Sequence, residues 1–140
     1  MADEQQDKVQ FELVSPERLL MSRAVDMVVV PGAEGDFGVL PRHSLLISTV
    51  RPGVIDVYED GSVKDRIFVA GGFAEVTPER CTVLADEAMP VDRIDRAEVE
   101  ARLKELREDV TDAGDAEIRA AAEKAIAIAE AKLAAGLTSA

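Results

Sequence analysis

Aromatic side chains and basic runs are both scarce here. Among 140 residues there is no tryptophan, one tyrosine and four phenylalanines, and 28 acidic residues outnumber 16 basic ones for a formal net charge of −12. Nucleic-acid binding is excluded on that ground, because no basic stripe and no aromatic-studded basic face exists to meet phosphates and bases. The acidity itself implies solubility and no particular partner. Cysteine is limited to Cys81, so no internal disulfide can form. Its strand-like surroundings, RCTVLAD, make it a small apolar filler. Histidine is limited to His43. One histidine and one cysteine are too few for the usual metal site. A serine–histidine arrangement would have to use His43, which stands beside Arg42 just after a proline, and no G-x-S-x-G elbow occurs. The longest uncharged run is far short of the ~20 residues of a membrane span. The opening MADEQQDK is polar and acidic, the opposite of a signal peptide. No direct membrane insertion is expected, and a cytoplasmic setting is.

What the chain does have is texture. Hydrophobic residues make up 47% of it, which suits a folded chain. Over the first 87 residues they alternate with period two. Val9, Phe11 and Leu13 alternate with Gln10 and Glu12, and a second run takes in Val25, Met27 and Val29. Further runs are SLLISTV (44–50), GVIDVY (53–58), DRIFVA (65–70), FAEVT (73–77) and RCTVLAD (80–86), separated by Pro52-Gly53, Asp60-Gly61, Gly71-Gly72 and Pro78. Asp60-Gly61 between two alternating runs is a hairpin signal. Many short strands at close spacing predict a β-sandwich or flattened barrel over 1–87.

Beyond Pro90 the period changes. Val99, Leu103, Leu106 and Val110 step by helical intervals, and so do Ile118, Ala122, Ala125 and Ala129. Asp95 with Glu98 resembles a capping box. Between the two stripes, Gly114 can take a positive φ to end the first helix and Asp115 can cap the second. The spacing predicts an antiparallel two-helix hairpin over 88–140, so the fold class is α+β, strands first. The hairpin's apolar stripe is narrow and rich in methyl groups, and each buried CH₂ contributes only about 0.8 kcal/mol. Such an element either docks permanently or moves between places as a switch.

The stretch VVVPGAEGDFGVLPRH (28–43) holds the most unusual local chemistry. The spacing of Gly32, Gly35 and Gly38 is neither G-x-G-x-x-G nor G-x-x-x-x-G-K-[ST], no lysine follows, and Glu34 and Asp36 would repel a phosphate. The loop therefore reads as shape, a contact surface on a rigid scaffold.

PGAEGDFGVLPRHSLL, RPGVI, VAGGFAEV and CTVLADEA, in that order, resemble the epsilon subunit family of bacterial F-type ATP synthases, equivalent to the mitochondrial delta subunit. The resemblance extends over nearly all 140 residues. It implies a β-sandwich followed by two antiparallel helices. It also implies a non-catalytic rotor subunit that couples c-ring rotation to ATP synthesis, with no cofactor. The implied partners are the gamma subunit and the c-ring, with the alpha and beta catalytic subunits reached through the hairpin. The implied location is peripheral, on the cytoplasmic face of the inner membrane. Carried over by motif, the resemblance points to Glu34, Asp36 and His43 as c-ring contacts. The polar loops of c subunits in that family carry a basic and an amide group, so acidic partners make electrostatic sense. For His43 a local hydrogen bond beside Pro41 is the competing reading.

In some members of that family the hairpin inhibits ATP hydrolysis or binds ATP through I/L-D-x-x-R-A. Asp92, Arg96 and Lys124 are the corresponding residues here, in a different register. From Asp92 the sequence reads D-x-x-x-R-A, a shift of about 100° on a helix, and Ile128 stands where a second basic residue belongs. A free-standing nucleotide-binding regulator with the hairpin as lid is the alternative function. The five basic residues of the first helical stretch are interleaved with seven acidic ones, the pattern of a solvated face.

Overall fold

Alternation builds the sheet strand by strand. In the computed structural model of this protein, residues 7–137 are described; the polar lead-in at 1–6 and the end of the hairpin span at 138–140 lie outside them. Strand β1 (Val9–Val14) buries Val9, Phe11 and Leu13 and turns its other residues outward. The same in-out pattern runs through β5 (Leu46–Val50), β6 (Gly53–Glu59), β8 (Gly72–Val76) and β9 (Arg80–Ala85). The run expected at Val25, Met27 and Val29 divides instead into two strands. β2 (Leu19–Val25) ends on buried Val25, and in β3 (Met27–Gly32) the buried residues include Val28 and Val30. Asp26 causes the change of phase. Its backbone N–H donates to the Tyr58 carbonyl (3.0 Å), and its carboxylate accepts from the Lys8 ammonium and from the Asp60 N–H (2.7 Å). The Lys8 bond, followed by that of Asp60, holds the Asp26 carboxyl below its ordinary range.

With β4 (Gly35–Val39), β7 (Ser62–Val69) and β10 (Ala88–Pro90), the described residues form one ten-stranded sheet. Its order is β10-β7-β6-β3-β5-β8-β9-β1-β2, with β4 paired to β3 alone. The β1–β9 pairing is parallel and the others are antiparallel. The sheet curls back on itself as a sandwich. Arg23 on β2 reaches Asp65 on β7 and Glu59 on β6 (3.8 Å), which ties the free edge to the β6–β7 hairpin. That hairpin turns at Asp60 (φ 53) and Gly61 (φ 80), the type I′ signature. One core holds Phe11, Leu13, Ile55 and the inward valines of the strands, with Cys81 among them. Burial pushes the Cys81 thiol up to about 12, so it is an inert filler.

The protein parts into two compact units between Pro90 and Val91. In the second unit a 3-10 turn (Val91–Arg93) precedes α1 (Arg96–Asp112) and α2 (Ala116–Leu137). Asp95 caps α1 by accepting from the Glu98 N–H at 3.2 Å, and Asp115 accepts from the Glu117 N–H at 2.7 Å at the start of α2. Gly114 does not end α1 in the left-handed region. The C-cap is Ala113 in an extended conformation (φ −68, ψ 120), so the link needs no positive φ. Leu103 and Leu106 of α1 and Ala122, Ala129 and Ala135 of α2 are buried, and Val91 joins them. Ile118, expected on the α2 stripe, is 59% exposed. It lies in the first turn of α2, beyond the buried part of the stripe, which begins at Ala122.

One glycine is compulsory. Gly72 has φ +142, and a Cβ there would stand 1.9 Å from the Leu84 carbonyl oxygen across the β8–β9 pair. Gly72→Ala is expected to destabilise the sandwich by about 3 kcal/mol or more through backbone strain and lost pairing. Denaturant unfolding followed by far-UV circular dichroism checks this.

Candidate functional site

The acidic loop is built from strand pairing outward. β3 and β4 run antiparallel to a last pair, Gly32 with Gly35, leaving Ala33 and Glu34 as the turn. Gly32 is required by crowding: a Cβ there would lie 2.8 Å from the Gly35 carbonyl oxygen and 2.9 Å from the Phe37 ring. Gly35 (φ +141) supplies the backbone bend. The base of the loop is fastened to the next strand, with Ala33 N–H donating to Thr49 O (2.9 Å) and Arg51 N–H donating to Pro31 O (2.9 Å).

Glu34 and Asp36 are both exposed on this tip but differ in company. The Arg51 guanidinium donates through Nη2 to Asp36 Oδ1 at 2.6 Å and through Nη1 to the Gly32 carbonyl at 2.5 Å. Glu34 has no ion pair among the described residues. Arg51 is not among the residues the sequence singles out, and its position beside Pro52-Gly53 gives no sign of a role.

His43 stands apart from both carboxylates in its bonding. It lies on the link between β4 and β5, where Leu40 to His43 form a turn closed by His43 N–H to Leu40 O at 3.2 Å. Pro41 in second place and Arg42 at φ 68 in third give the type II pattern. His43 is half-buried, and its Nδ1–H donates to the Ser44 carbonyl at 2.6 Å. The local hydrogen bond weighed from the sequence is therefore made, with Ser44 as acceptor. The same link exposes Leu40 and Leu45.

A second surface lies on the outer face of the sheet. Ladder partners run Thr49–Phe73–Leu84 across β5, β8 and β9, continue through Val14 on β1 and end at Leu19 on β2. Phe73, Leu84 and Leu19 are each more than half exposed, and Ile47, two residues from Thr49 on the same face, is 76% exposed. Neighbouring strands lie about 4.8 Å apart, so the row is about 19 Å long. Single exposed apolar residues are ordinary, whereas this row crosses five adjacent strands. Its sequence signal is apolar residues at outward positions, Phe73 beside buried Ala74 and Leu84 beside buried Val83.

On the helical unit, Asp92 lies in the 3-10 turn, Arg96 is the first residue of α1 and Lys124 sits on α2; all three are exposed. Arg96 Nε is bound to Glu100 Oε1 at 3.0 Å, and Arg102 pairs with Glu105 at 3.3 Å further along α1. Ile128 is half-buried. An open groove of about 620 Å³ along α1 is lined by Leu103, Lys104, Arg107, Thr111 and Leu133 among others, and by none of Asp92, Arg96 and Lys124.

Comparison with known proteins matches both units. Residues 8–91 match the family described as ATP synthase, Delta/Epsilon chain, beta-sandwich domain, and residues 95–140 match the family of C-terminal domains of the ATP synthase epsilon chain. The ATP synthase epsilon chain of Rhodospirillum rubrum is 57% identical over 129 residues, covering 92% of this protein and 96% of that one. That of Paramagnetospirillum magneticum is 55% identical over 129 residues, covering 92% and 97%. Among solved structures, a subunit of the Euglena gracilis mitochondrial ATP synthase (OSCP, F1 and c-ring) superposes with TM-score 0.80 at 26% identity, covering 92% of this protein and 81% of that subunit. A subunit of the Tetrahymena thermophila mitochondrial ATP synthase central stalk and c-ring has the same fold, with TM-score 0.66 at 15% identity, covering 94% and 98%.

The state of Arg96 gives a prediction for nucleotide. With its guanidinium bound to Glu100 and Ile128 at the second basic position, the protein is expected to show no thermal shift above ~1 °C in millimolar ATP. A ligand at 100 times its Kd would stabilise by about 2.7 kcal/mol, a shift that scanning calorimetry reads easily.

Proposed function

We propose that this protein, which belongs to the ATP synthase epsilon family, meets the membrane-embedded ring of its complex with the acidic β3–β4 loop and the gamma subunit with the apolar outer face of its sheet. It is a non-catalytic central-stalk subunit of the F-type ATP synthase, part of the machinery that couples proton flow to ATP synthesis. The observation that carries the partner assignment is the row Phe73, Leu84, Val14 and Leu19 with Ile47 beside it. A stalk subunit turning with gamma must be held without slip, and apolar area removed from water contributes about 25 cal/mol per Å² without needing charge registry. The loop suits the other contact: its outward group is an anion, and the polar loops of c subunits offer a cation.

Attachment to the membrane then comes through the ring. No helix among the described residues is long and apolar enough to cross a membrane, and we place the protein peripherally on the cytoplasmic face of the inner membrane. The helical hairpin is the regulatory part. Arg93, Lys104 and Arg107 carry no ion pair among the described residues and are the cations offered to acidic surfaces of the alpha and beta subunits.

Two experiments test this reading. Adding the protein to a catalytic core that holds gamma but lacks its own epsilon is expected to give one-to-one binding. A version ending at Pro90, which keeps β10, is expected to bind equally while letting ATP hydrolysis run faster. Binding with an unchanged rate makes the hairpin structural, and absence of binding removes the stalk role. Separately, Phe73→Glu and Leu84→Glu are expected to keep the isolated fold within about 0.5 kcal/mol of the parent, as exposed substitutions do. Each is expected to weaken binding to the gamma-containing core at least ~10-fold, since a charge is then buried unpaired at an apolar contact. Unchanged affinity would move the gamma contact elsewhere.

A further inference from the structure

We infer that Glu34 and Asp36 divide their labour: Glu34 is the anion offered to the ring, and Asp36 with Arg51 is a brace that sets where Glu34 stands. This inference rests on the reading that the loop meets the ring.

The geometry distinguishes the two carboxylates. Arg51 enters the loop from the β5–β6 link and bridges both strands of the β3–β4 hairpin. One arm of its fork is on Gly32 O, the last paired residue of β3, and the other is on Asp36 Oδ1 in β4. The planar guanidinium holds two acceptors in one rigid fork, whereas an ammonium is a point charge whose donors impose no such fixed geometry. Arg51's own N–H is fastened to Pro31 O, and Ala33 N–H to Thr49 O, so the fork starts from a fixed backbone. Between Gly32 and Gly35 the turn is only Ala33 and Glu34, so a shift of either strand end moves Glu34 directly.

Electrostatics point the same way. Asp36 and Arg51 cancel at close range, and the tip is left with one net negative charge, on Glu34. The ion pair is itself solvent-accessible, with the Arg51 and Asp36 side chains 42% and 60% exposed. Such a pair adds little to global stability, which fits a local positioning role better than a stabilising one.

The test uses the full-length protein and the assembled complex. Variants are Glu34→Gln, Asp36→Asn, Arg51→Gln, Arg51→Lys and the double Asp36→Asn/Arg51→Gln. Hydrogen exchange of amides 33–38 is measured on the full-length protein, and proton-driven ATP synthesis on membrane vesicles at low and high salt. Asp36→Asn and Arg51→Gln are expected to speed exchange about fivefold, the worth of roughly one ordinary hydrogen bond, as suits an exposed pair, and the double variant no more than Arg51→Gln alone. Glu34→Gln is expected to leave exchange unchanged, to lower synthesis several-fold and to abolish its salt dependence. Arg51→Lys, with the charge but not the fork, is expected to fall between Arg51→Gln and the parent in both readouts. If Asp36→Asn lowers synthesis as much as Glu34→Gln while exchange stays at the parent value, Asp36 is itself the contact, and the division is overturned with the ring reading intact. If no variant alters synthesis, the loop does not meet the ring, and both readings fall together.

Discussion

Everything in the first unit depends on an apolar interior with no polar exception. Among the described residues no polar or charged side chain is buried, and the core is filled by valine, isoleucine, leucine, phenylalanine, alanine and one cysteine. With strand side chains alternating, that rule assigns every inward position. Only outward positions and turns are left to carry chemistry. Close packing of many branched side chains makes the interior stiff, and stiffness is what a part that transmits rotation requires. The acidic loop and the outer apolar row are consequences: both occupy positions the core does not claim.

The same rule explains what could be read from the sequence. Strands β1, β5, β6 and β9 were legible because apolar and polar residues alternate cleanly in them. β2 was not, because LLMSRAV is a sheet edge whose burial is uneven along its length. The break at Asp26 was hidden by a run of apolar residues on both sides, and it is made by long-range bonds to Lys8, Tyr58 and Asp60 that no local pattern announces. β10 is three residues long and exists only by pairing with β7. In the helical unit the α1 stripe was legible through Leu103 and Leu106, but Gly114 and Ile118 behaved otherwise. An extended Ala113 was enough for the link, and the buried part of α2 begins one turn later than its periodicity suggested.

The candidate site was half legible. The acidic tip and His43 were visible as unusual residues, and family resemblance gave them a direction. What the sequence hid was pairing. Arg51 lies 15 residues from Asp36, and nothing in RPG marks it as the partner. The apolar row was hidden for a different reason. Phe73 and Leu84 look like core residues in any count of hydrophobicity, and only register shows that they face outward on adjacent strands.

The two units differ in how they are held, and that difference bears on regulation. In the sandwich, whole side chains such as Phe11, Leu13 and Ile55 are fully buried in one core. In the hairpin the buried groups among the described residues are Val91, two leucines and three alanines, and an alanine contributes one methyl, on the order of 0.8 kcal/mol. Ion pairs on the exposed side of α1 add about 0–1 kcal/mol each. An element with so little interior of its own takes much of its stability from whatever surface it lies against. A partner that offers a better surface can therefore draw it away at small cost, whereas the sandwich keeps its shape regardless of partner. Under the proposed function, rigid contact surfaces on the one unit and a weakly held helical pair on the other separate coupling from control within 140 residues.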